Sequence, residues 1–276
     1  MKKIFIAGAS SYIGRNLIFF LKKKNFELYT SYYKNNFFKK YKKKFYSLQL
    51  DLTKNKSIKK IIKIDPDIII NLAAFKSGFK NKINIKKHFY KNITINRNLI
   101  NYCKKYKKKL IFTSSDKVYS GKTKRPTENK NLKPDNIYGI IKLKCENEIK
   151  KKLKNYLILR FATVYSENKI YDKNFINRKI YSIKKKKKIY LATNVYRLFI
   201  SSEYLCKIIH KLIIKQATGT FNIGSKASNY YNLALSICKK KKIPTKKYLY
   251  KSIVQARPEY LIPKTDKLFS FLRKNT

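Results

Sequence analysis

Tyr138 and Lys142 are four residues apart and form a pair of side chains that could do chemistry together. Residues at this spacing share one face of a helix, and an ammonium group beside a phenol lowers the tyrosine pKa from about 10 toward neutrality. Such a tyrosine can act as a general acid or base. Because the same spacing recurs at Tyr165, Tyr181 and Tyr260, the pair becomes a specific signal only through its position in the chain.

The position of the pair is informative because Ser115 precedes it at the end of a predicted strand. Ser115 ends the run Leu110–Ser115, which begins apolar and ends in hydroxyl side chains and therefore predicts a buried strand. A serine at the carboxyl end of a strand can hydrogen-bond a substrate oxygen beside the phenol of the helix that follows. The candidate catalytic residues are therefore Ser115, Tyr138 and Lys142.

A strand-to-helix turn near the amino terminus, Ile4–Gly14, holds two of the seven glycines of the chain. The apolar run breaks at Gly8 and resumes with helical spacing, which predicts a strand, a tight turn and the start of a helix. Turns of this kind aim free helix amides at a phosphate and let it approach the backbone where no Cβ intervenes. We therefore expect a dinucleotide site lined by Gly8, Ser10, Ser11, Tyr12, Ile13 and Gly14.

The elements that must position these residues alternate between strand and helix patterns. Asp67–Ala74 is a continuous apolar run rich in isoleucine, as a strand buried on both faces of a parallel sheet requires. The pattern predicts an α/β fold with a Rossmann-type doubly wound parallel sheet. We expect residues 1–163 to form this dinucleotide-binding domain and residues 164–276 a smaller carboxyl-terminal substrate-binding lobe, with segments at about 190–224 returning to the first domain.

The net charge of the chain is +54, because 68 lysines and arginines face 14 acidic residues. So basic a balance is typical of proteins that bind nucleic acids. Scarce glycine and proline and the absence of tryptophan are equally what an AT-rich coding sequence produces. A surface that binds nucleic acid requires clustered basic residues. The lysines of this chain are instead spread along its length. We predict no specific nucleic-acid partner; a lysine surface that bound nucleic acid would lose affinity steeply with salt.

Four cysteines and two histidines argue against a metal centre or a disulfide framework. Cys103, Cys145, Cys206 and Cys238 are widely spaced and form no Cys-x-x-Cys motif, so we expect ordinary buried thiols. The chain has no run of about 18 apolar residues that could span a membrane. Its first strand begins at once, which leaves no space for a signal peptide, and we expect a cytoplasmic protein.

The glycine turn, Asn71–Ala74, Thr113–Ser115 and the Tyr138/Lys142 pair follow one another along a single α/β pattern. As a set they resemble the extended short-chain dehydrogenase/reductase family, which contains nucleotide-sugar epimerases, dehydratases and 4-keto reductases. The resemblance covers nearly the whole chain. It implies that Tyr138 donates the proton, that Lys142 binds the nicotinamide ribose and tunes the tyrosine, and that Ser115 polarises the sugar carbonyl.

The same resemblance implies further contacts with the cofactor. It assigns them to Asp51, Leu52, Leu72, Ala73 and Ala74, together with Tyr138 and Lys142. Gly8 and Gly14 match the first and third glycines of the family's Gly-x-x-Gly-x-x-Gly turn, whereas Ser11 replaces the middle glycine. That glycine permits the closest approach of the pyrophosphate, so weaker binding or an adjusted turn is expected.

The end of the second predicted strand bears on the choice between NAD and NADP. An acid there would bond the adenine ribose hydroxyls and favour NAD, whereas a base accommodates the additional phosphate of NADP. Residues 29–34 contain no acid and end in Lys34. We therefore expect NADP rather than NAD.

Asp116 and Lys117 follow the catalytic serine and are expected to contact the substrate. By the resemblance, sugar 4,6-dehydratases commonly carry Asp-Glu at this point, so the lysine disfavours the commonest of them, although some carry Asp-Lys. Residues 66–74 look most like dTDP-4-dehydrorhamnose reductases, whereas residues 196–200 and 222–224 look like the epimerase branch.

Three arginines are the expected contacts of a substrate diphosphate, because arginine binds phosphate through two parallel hydrogen bonds. They are Arg160, Arg197 and Arg257. By the resemblance, Arg197 sits near the diphosphate of the sugar nucleotide and Arg257 helps to hold the nucleotide.

These observations predict NAD(P)-dependent reduction of a 4-keto group on a nucleotide-activated sugar. Epimerisation or 4,6-dehydration is the alternative, and a non-catalytic dinucleotide-binding subunit is a further one. The resemblance also implies a possible homodimer through helices at about 86–107 and 137–152. The expected partners are thus a nucleotide-sugar substrate and a second copy of the chain.

Overall fold

The computed structural model describes residues 1–34, 46–75, 82–120, 124–130, 132–167, 174–255 and 260–274, with only the backbone described at residues 82 and 83. The main sheet consists of β1 (Lys2–Ala7), β2 (Phe26–Tyr32), β3 (Tyr46–Gln49), β4 (Ile68–Asn71), β5 (Lys109–Ser115), β6 (Tyr156–Phe161) and β10 (Gly219–Ile223). The other strands are β7 (Val164–Tyr165), β8 (Ile189–Ala192), β9 (Tyr196–Ser201), β11 (Lys226–Asn229), β12 (Leu249–Ser252) and β13 (Tyr260–Leu261).

The strands of the main sheet lie in the order β10-β6-β5-β4-β1-β2-β3, and each neighbouring pair is parallel. Every residue of β4 and β5 is buried, as strands covered on both faces require. The order is that of a doubly wound dinucleotide-binding sheet with one strand added beyond β6. The predicted fold class is confirmed.

Helices cover both faces of this sheet. The helices that pack against it are α1 (Tyr12–Leu21), α2 (Asn55–Ile64), α3 (Lys82–Lys105), α4 (Ile137–Lys152), α6 (Ser202–Ile214) and α8 (Asp266–Arg273). The other two helices, α5 (Phe175–Lys184) and α7 (Tyr230–Lys240), belong to the smaller lobe. On one face Leu17 of α1 and Leu205 of α6 belong to one hydrophobic core. On the other face Ile61 of α2 and Leu99 of α3 belong to a second core, so each helix buries one apolar stripe.

The carboxyl-terminal part of the chain forms the smaller lobe. Strand β9 pairs with β7, β11 and β13, β8 pairs with β12, and α5 and α7 share a third hydrophobic core with Phe199 of β9. Within the predicted returning segment 190–224, β10 joins the main sheet and α6 packs against that sheet, whereas β9 pairs with strands of the lobe. Helix α8 also returns to the main sheet, because Leu268 is buried in its core.

All four cysteines are buried and free of disulfides, as predicted. In the described part of the chain, no helix combines the length and the apolar character that crossing a membrane requires. Among the same residues, no group of three or more His, Cys, Asp or Glu side chains is arranged to hold a metal ion.

Candidate active site

The glycine turn lies between β1 and α1, at the carboxyl end of the sheet. Gly8 has a φ of +74°, a conformation that favours glycine. A Cβ at this position would lie 2.7 Å from the backbone nitrogen of Ala73. The missing side chain therefore lets the turn pack directly against the end of β4.

Ser11 has a side-chain hydroxyl, which the family's middle glycine lacks, and uses it to cap α1. It is the N-cap of α1, and its Oγ accepts a hydrogen bond of 3.1 Å from the backbone nitrogen of Gly14. A Cβ on Gly14 would overlap the backbone of Ala9, so the third glycine permits close packing of the helix on the turn. Gly14 lines neither of the two pockets described below, and its role as a cofactor contact stays a prediction.

The cap predicts losses of different size for two substitutions of Ser11. Ser11→Ala removes the hydroxyl acceptor and is expected to lower the free energy of unfolding by about 1 kcal/mol, whereas Ser11→Gly costs only a few tenths. Urea unfolding of both variants beside the wild-type protein measures the difference. Equal losses in the two variants would mean that the hydroxyl does not stabilise the helix.

A pocket of about 490 Å³ lies beside the turn, at the carboxyl ends of β1, β2 and β4. The predicted cofactor residues that line it are Gly8, Ser10, Ser11, Lys34, Asp51, Leu52, Leu72, Ala73 and Ala74. Sequence reasoning missed Tyr33, Phe75 and Lys91, which also line it. Phe75 directly follows Ala73 and Ala74, so its place in the pocket could have been predicted from theirs. Lys91 lies on α3, and nothing in the neighbouring sequence indicates that it lines the pocket.

Asp51 is held in place before any ligand arrives. Its Oδ1 accepts hydrogen bonds from the backbone nitrogen of Thr53 at 3.0 Å and from the Thr53 hydroxyl at 2.7 Å. Burial by itself would raise the pKa of Asp51, but the Thr53 hydrogen bonds and the charge of Lys91 outweigh it and lower the pKa. Asp51 is thus a fixed carboxylate on the wall of the pocket.

A second pocket, of about 450 Å³, lies where the carboxyl ends of β5 and β6 meet the glycine turn. Ser115 and Tyr138 line it together with the predicted residues Tyr12 and Ile13. Its further lining includes residues 161–164 and the residue pair 174–175, which sequence reasoning did not single out. Because Ser11, Leu72 and Ala74 line both pockets, the two pockets adjoin along one cleft.

Helix α4 carries Tyr138 and packs against the loop that follows Ser115. Asn136 caps the helix by accepting a hydrogen bond of 2.9 Å from the nitrogen of Gly139. A Cβ on Gly139 would overlap the backbone carbonyl of Lys117, in the short 3₁₀ helix that follows Ser115. The glycine beside Tyr138 therefore allows the helix to pack against the serine loop, a role that the sequence pattern did not reveal.

Lys142 is buried beneath the tyrosine. Its Nζ donates a 2.7 Å hydrogen bond to the carbonyl of Thr113 and lies 5.7 Å from the centroid of the Tyr138 ring. Burial raises the pKa of the Tyr138 phenol, and the charge of Asp116 raises it further. The sequence-based prediction that Lys142 lowers this pKa is wrong for the protein alone, because the cost of burying a phenolate dominates.

Ser115 is part of a tight hydrogen-bonded loop. Its Oγ donates to Oδ1 of Asp116 at 3.0 Å and accepts from the backbone nitrogen of Lys117 at 3.2 Å. Asp116 is buried, and burial raises its pKa although the nearby charge of Arg197 opposes the shift. Among the described residues, neither Oδ2 of Asp116 nor Nη1 of Arg197 has a hydrogen-bond partner. A buried carboxyl group and a buried guanidinium at the serine loop thus each keep a polar atom with no hydrogen-bond partner among the described residues.

Arg160 does not lie where the sequence analysis put it. Its side chain is fully buried, and its Nε donates to Oε1 of Glu146 at 3.0 Å. Its Nη1 donates to the hydroxyl of Tyr119 and to the carbonyl of Glu128. Because these partners occupy the guanidinium, we correct its predicted role as a diphosphate contact. Arg257, the third arginine of that prediction, lies outside the described residues.

The sequence profile of the RmlD substrate binding domain matches residues 1–262. A curated relative is the bifunctional polymyxin resistance protein ArnA of Wigglesworthia glossinidia brevipalpis, which is 35% identical over 123 residues, or 43% of this chain. That match covers 19% of the relative, so the chain spans about a fifth of its length.

Three solved structures have the same fold. The dTDP-4-dehydrorhamnose reductase of Clostridium acetobutylicum is 23% identical with a TM-score of 0.80, covering 99% of this chain and 92% of that one. The dTDP-4-dehydrorhamnose reductase of Bacillus anthracis in complex with NADP is 22% identical with a TM-score of 0.83, covering 98% and 92%. The UDP-glucose 4-epimerase of Thermotoga maritima with UDP-glucose is 17% identical with a TM-score of 0.83, covering 97% and 91%. With the profile match over residues 1–262, the chain belongs to the RmlD substrate binding domain family, within the extended short-chain dehydrogenases/reductases.

Proposed function

We propose that this protein is an NAD(P)-dependent oxidoreductase that reduces the 4-keto group of a nucleotide-activated sugar. The observation that carries the proposal is the meeting of Ser115 and Tyr138 in a pocket that adjoins the pocket of the glycine turn. Two of the fold relatives are named as dTDP-4-dehydrorhamnose reductases, which supports a 4-keto sugar as the substrate.

The residues present fit a nicotinamide dinucleotide. Gly8, Ser10 and Ser11 of the glycine turn line the first pocket, beside the N-terminus of α1, and the dipole of a helix favours a negatively charged phosphate at that end. Residues of that pocket, including Asp51 and Ala73, would hold the adenosine half. Lys142 would hold the nicotinamide ribose at the buried end of the cleft. The cofactor supplies hydride when bound; the chain's own residues supply binding, orientation and the proton.

Tyr138 is the proposed proton donor. Its raised pKa keeps the phenol protonated near neutral pH, which is the form that reduction of a carbonyl requires. Ser115 is proposed to hydrogen-bond the keto oxygen. In the protein alone its hydroxyl donates to Asp116, so the hydroxyl must turn from Asp116 toward the substrate to do so.

The substrate diphosphate is proposed to approach Arg197 from the lobe side. Arg197 is 2% exposed, and its Nη1 has no hydrogen-bond partner among the described residues. A buried guanidinium with an unused donor is costly unless a ligand satisfies it. Asp116 and Lys117 remain proposed substrate contacts because they neighbour Ser115. For the cofactor we propose NADP rather than NAD, since Lys34 lines the adenosine pocket and no acid ends β2.

Turnover of a dTDP- or UDP-linked 4-keto sugar with NADPH tests the proposal. We expect loss of reduced nicotinamide absorbance in a one-to-one ratio with sugar reduced. Formation of a new sugar nucleotide without net oxidation of NADPH would instead establish the alternative, an epimerase or 4,6-dehydratase that retains its cofactor. The epimerase relative supports that alternative. The lysine of Asp116-Lys117 disfavours the commonest 4,6-dehydratases, although some of them carry the same pair. Cofactor binding without turnover of any such sugar would point to a non-catalytic subunit.

A further inference from the structure

The adenosine end of the cleft gathers lysines from two separate elements. Lys34 follows β2, whereas Lys87 and Lys91 lie on α3, and all three line the pocket. Asp51 is the one carboxylate among the described lining residues. None of the three lysines forms an ion pair with a carboxylate in the described part of the chain. The pocket wall therefore has an excess of positive charge.

The ammonium groups of Lys34 and Lys91 converge on one aromatic ring. Nζ of Lys91 lies 5.7 Å from the ring centroid of Tyr33 and 4.9 Å from that of Phe75. Nζ of Lys34 lies 5.9 Å from the centroid of Tyr33. Tyr33 and Phe75 contact each other edge to face, with centroids 5.8 Å apart. Two lysines that are far apart in sequence thus border the same aromatic pair.

Asn92 fixes this arrangement to α3. Its side chain accepts a hydrogen bond of 3.0 Å from the backbone nitrogen of Phe75 and donates one of 3.1 Å to the Phe75 carbonyl. Asn92 is buried and also donates to the carbonyl of His88, one turn earlier in α3. Lys91, the neighbour of Asn92, is therefore held at a defined place over the pocket rather than on a free surface.

The contacts that these lysines make in the protein alone are weak ones. A lysine over an exposed aromatic face gains less than a lysine in a charge-assisted hydrogen bond. Asp51 cannot neutralise both, because it is a single charge and its Oδ1 already accepts two hydrogen bonds from Thr53. A phosphate monoester carries about −1.5 to −2 charges near pH 7, which matches the charge of two ammonium groups.

We propose that Lys91 of α3, together with Lys34, binds the 2′-phosphate of the adenosine ribose and is a residue that selects NADP over NAD. This inference rests on the proposed function, since it requires a dinucleotide in the cleft. Lys34 alone is what the strand-end pattern predicts; Lys91 adds a second cation from the opposite wall. Both ammonium groups lie near the ring of Tyr33, at 5.9 Å and 5.7 Å from its centroid, so the two cations meet in one part of the pocket.

Because a chain of net charge +54 attracts every polyanion, the test compares two ligands of equal charge. Adenosine 2′,5′-bisphosphate carries the 2′-phosphate that the two lysines are proposed to bind. Its isomer adenosine 3′,5′-bisphosphate carries that phosphate on the neighbouring ribose carbon. We expect calorimetry at about 0.15 M salt, where long-range attraction is largely screened, to show tighter binding of the 2′,5′ isomer. Lys91→Met should weaken that binding about 10- to 100-fold, as loss of a charged hydrogen bond does, with little change for the 3′,5′ isomer.

Two further variants control the experiment. Lys86→Met removes an exposed lysine of the same helix that does not line the pocket, and it should leave both affinities unchanged. Lys91→Arg keeps the charge and should retain the preference for the 2′,5′ isomer. Equal binding of the two isomers by the wild-type protein, or equal effects of Lys86→Met and Lys91→Met, would overturn the inference.

Different results would disprove the further inference and the proposed function. If NADH binds as tightly as NADPH and Lys91→Met changes neither, the inference is wrong while a dinucleotide enzyme remains. If the wild-type protein binds neither NADPH nor NADH, both the inference and the proposed function are overturned. Binding is the readout in every case, so the outcome does not depend on identifying the sugar.

Discussion

Tyr138→Phe is expected to lower kcat for reduction of the 4-keto sugar by about 10²- to 10⁴-fold, the usual contribution of a positioned general acid. The substitution removes only the hydroxyl. The ring keeps its contact with the ammonium group of Lys142, so the affinity for NADPH should not change. Steady-state kinetics with NADPH, together with a binding titration, measure the two effects separately.

Tyr181→Phe is the matched control. Tyr181 stands four residues before Lys185 and carries that lysine over its ring at 5.9 Å, yet it lies on α5 and lines neither of the two adjoining pockets. We expect this variant to keep wild-type activity. Full activity of Tyr138→Phe would show that the proton comes from elsewhere.

The pH profile gives an independent reading of the same residue. Burial raises the pKa of Tyr138, and a donor loses its proton only as the pH rises through its pKa. The rate of reduction is therefore expected to stay level from about pH 6 to about pH 9, since the phenol remains protonated over that window. A fall in rate centred near neutrality would mean that Lys142 lowers the pKa once the cofactor is bound.

Arg160→Met is expected to lower the free energy of unfolding by about 3–5 kcal/mol, because it removes the arginine that is hydrogen-bonded to both carboxylate oxygens of the buried Glu146. Glu146 is 0% exposed; it also accepts a hydrogen bond from Ser114, the neighbour of Ser115, and Nζ of Lys150 lies 4.0 Å from its Oε2. Since domains are stable by about 5–15 kcal/mol, the loss is a large fraction of the total. Thermal and urea unfolding measure it.

A second arginine–glutamate pair, which joins α3 to α4, provides the comparison. Arg97 contacts Glu148 at 3.0 Å, but half of its side chain is exposed. Arg97→Met should cost less than about 1 kcal/mol, as exposed pairs do. The double variant Glu146→Met with Arg160→Met should be more stable than Arg160→Met alone, because it also removes the buried carboxylate. Similar losses for Arg97→Met and Arg160→Met would contradict the role given to the buried pair.

Local patterns predicted the elements and the order of the catalytic residues. The apolar run that ends at Ser115 indicates a buried strand, and the carboxyl ends of parallel strands meet at one edge of the sheet. The four-residue spacing of Tyr138 and Lys142 fixes them to one face of α4, which extends over the predicted residues 137–152. Because these patterns depend on the periodicity of strands and helices, they can be recognised even in a chain rich in lysine.

The partners of long charged side chains were decided by the tertiary structure. Arg160 lies near the end of a buried strand, where the sequence predicted a contact with phosphate. In the folded protein its guanidinium instead donates a hydrogen bond to Glu146 of α4 inside the core. Lys91 resembles every other lysine in sequence, yet α3 holds it over Tyr33 and Phe75. A side chain's charge and spacing can be read along the chain. What neutralises that charge depends on which residues from distant segments are buried beside it, and only the folded packing determines that.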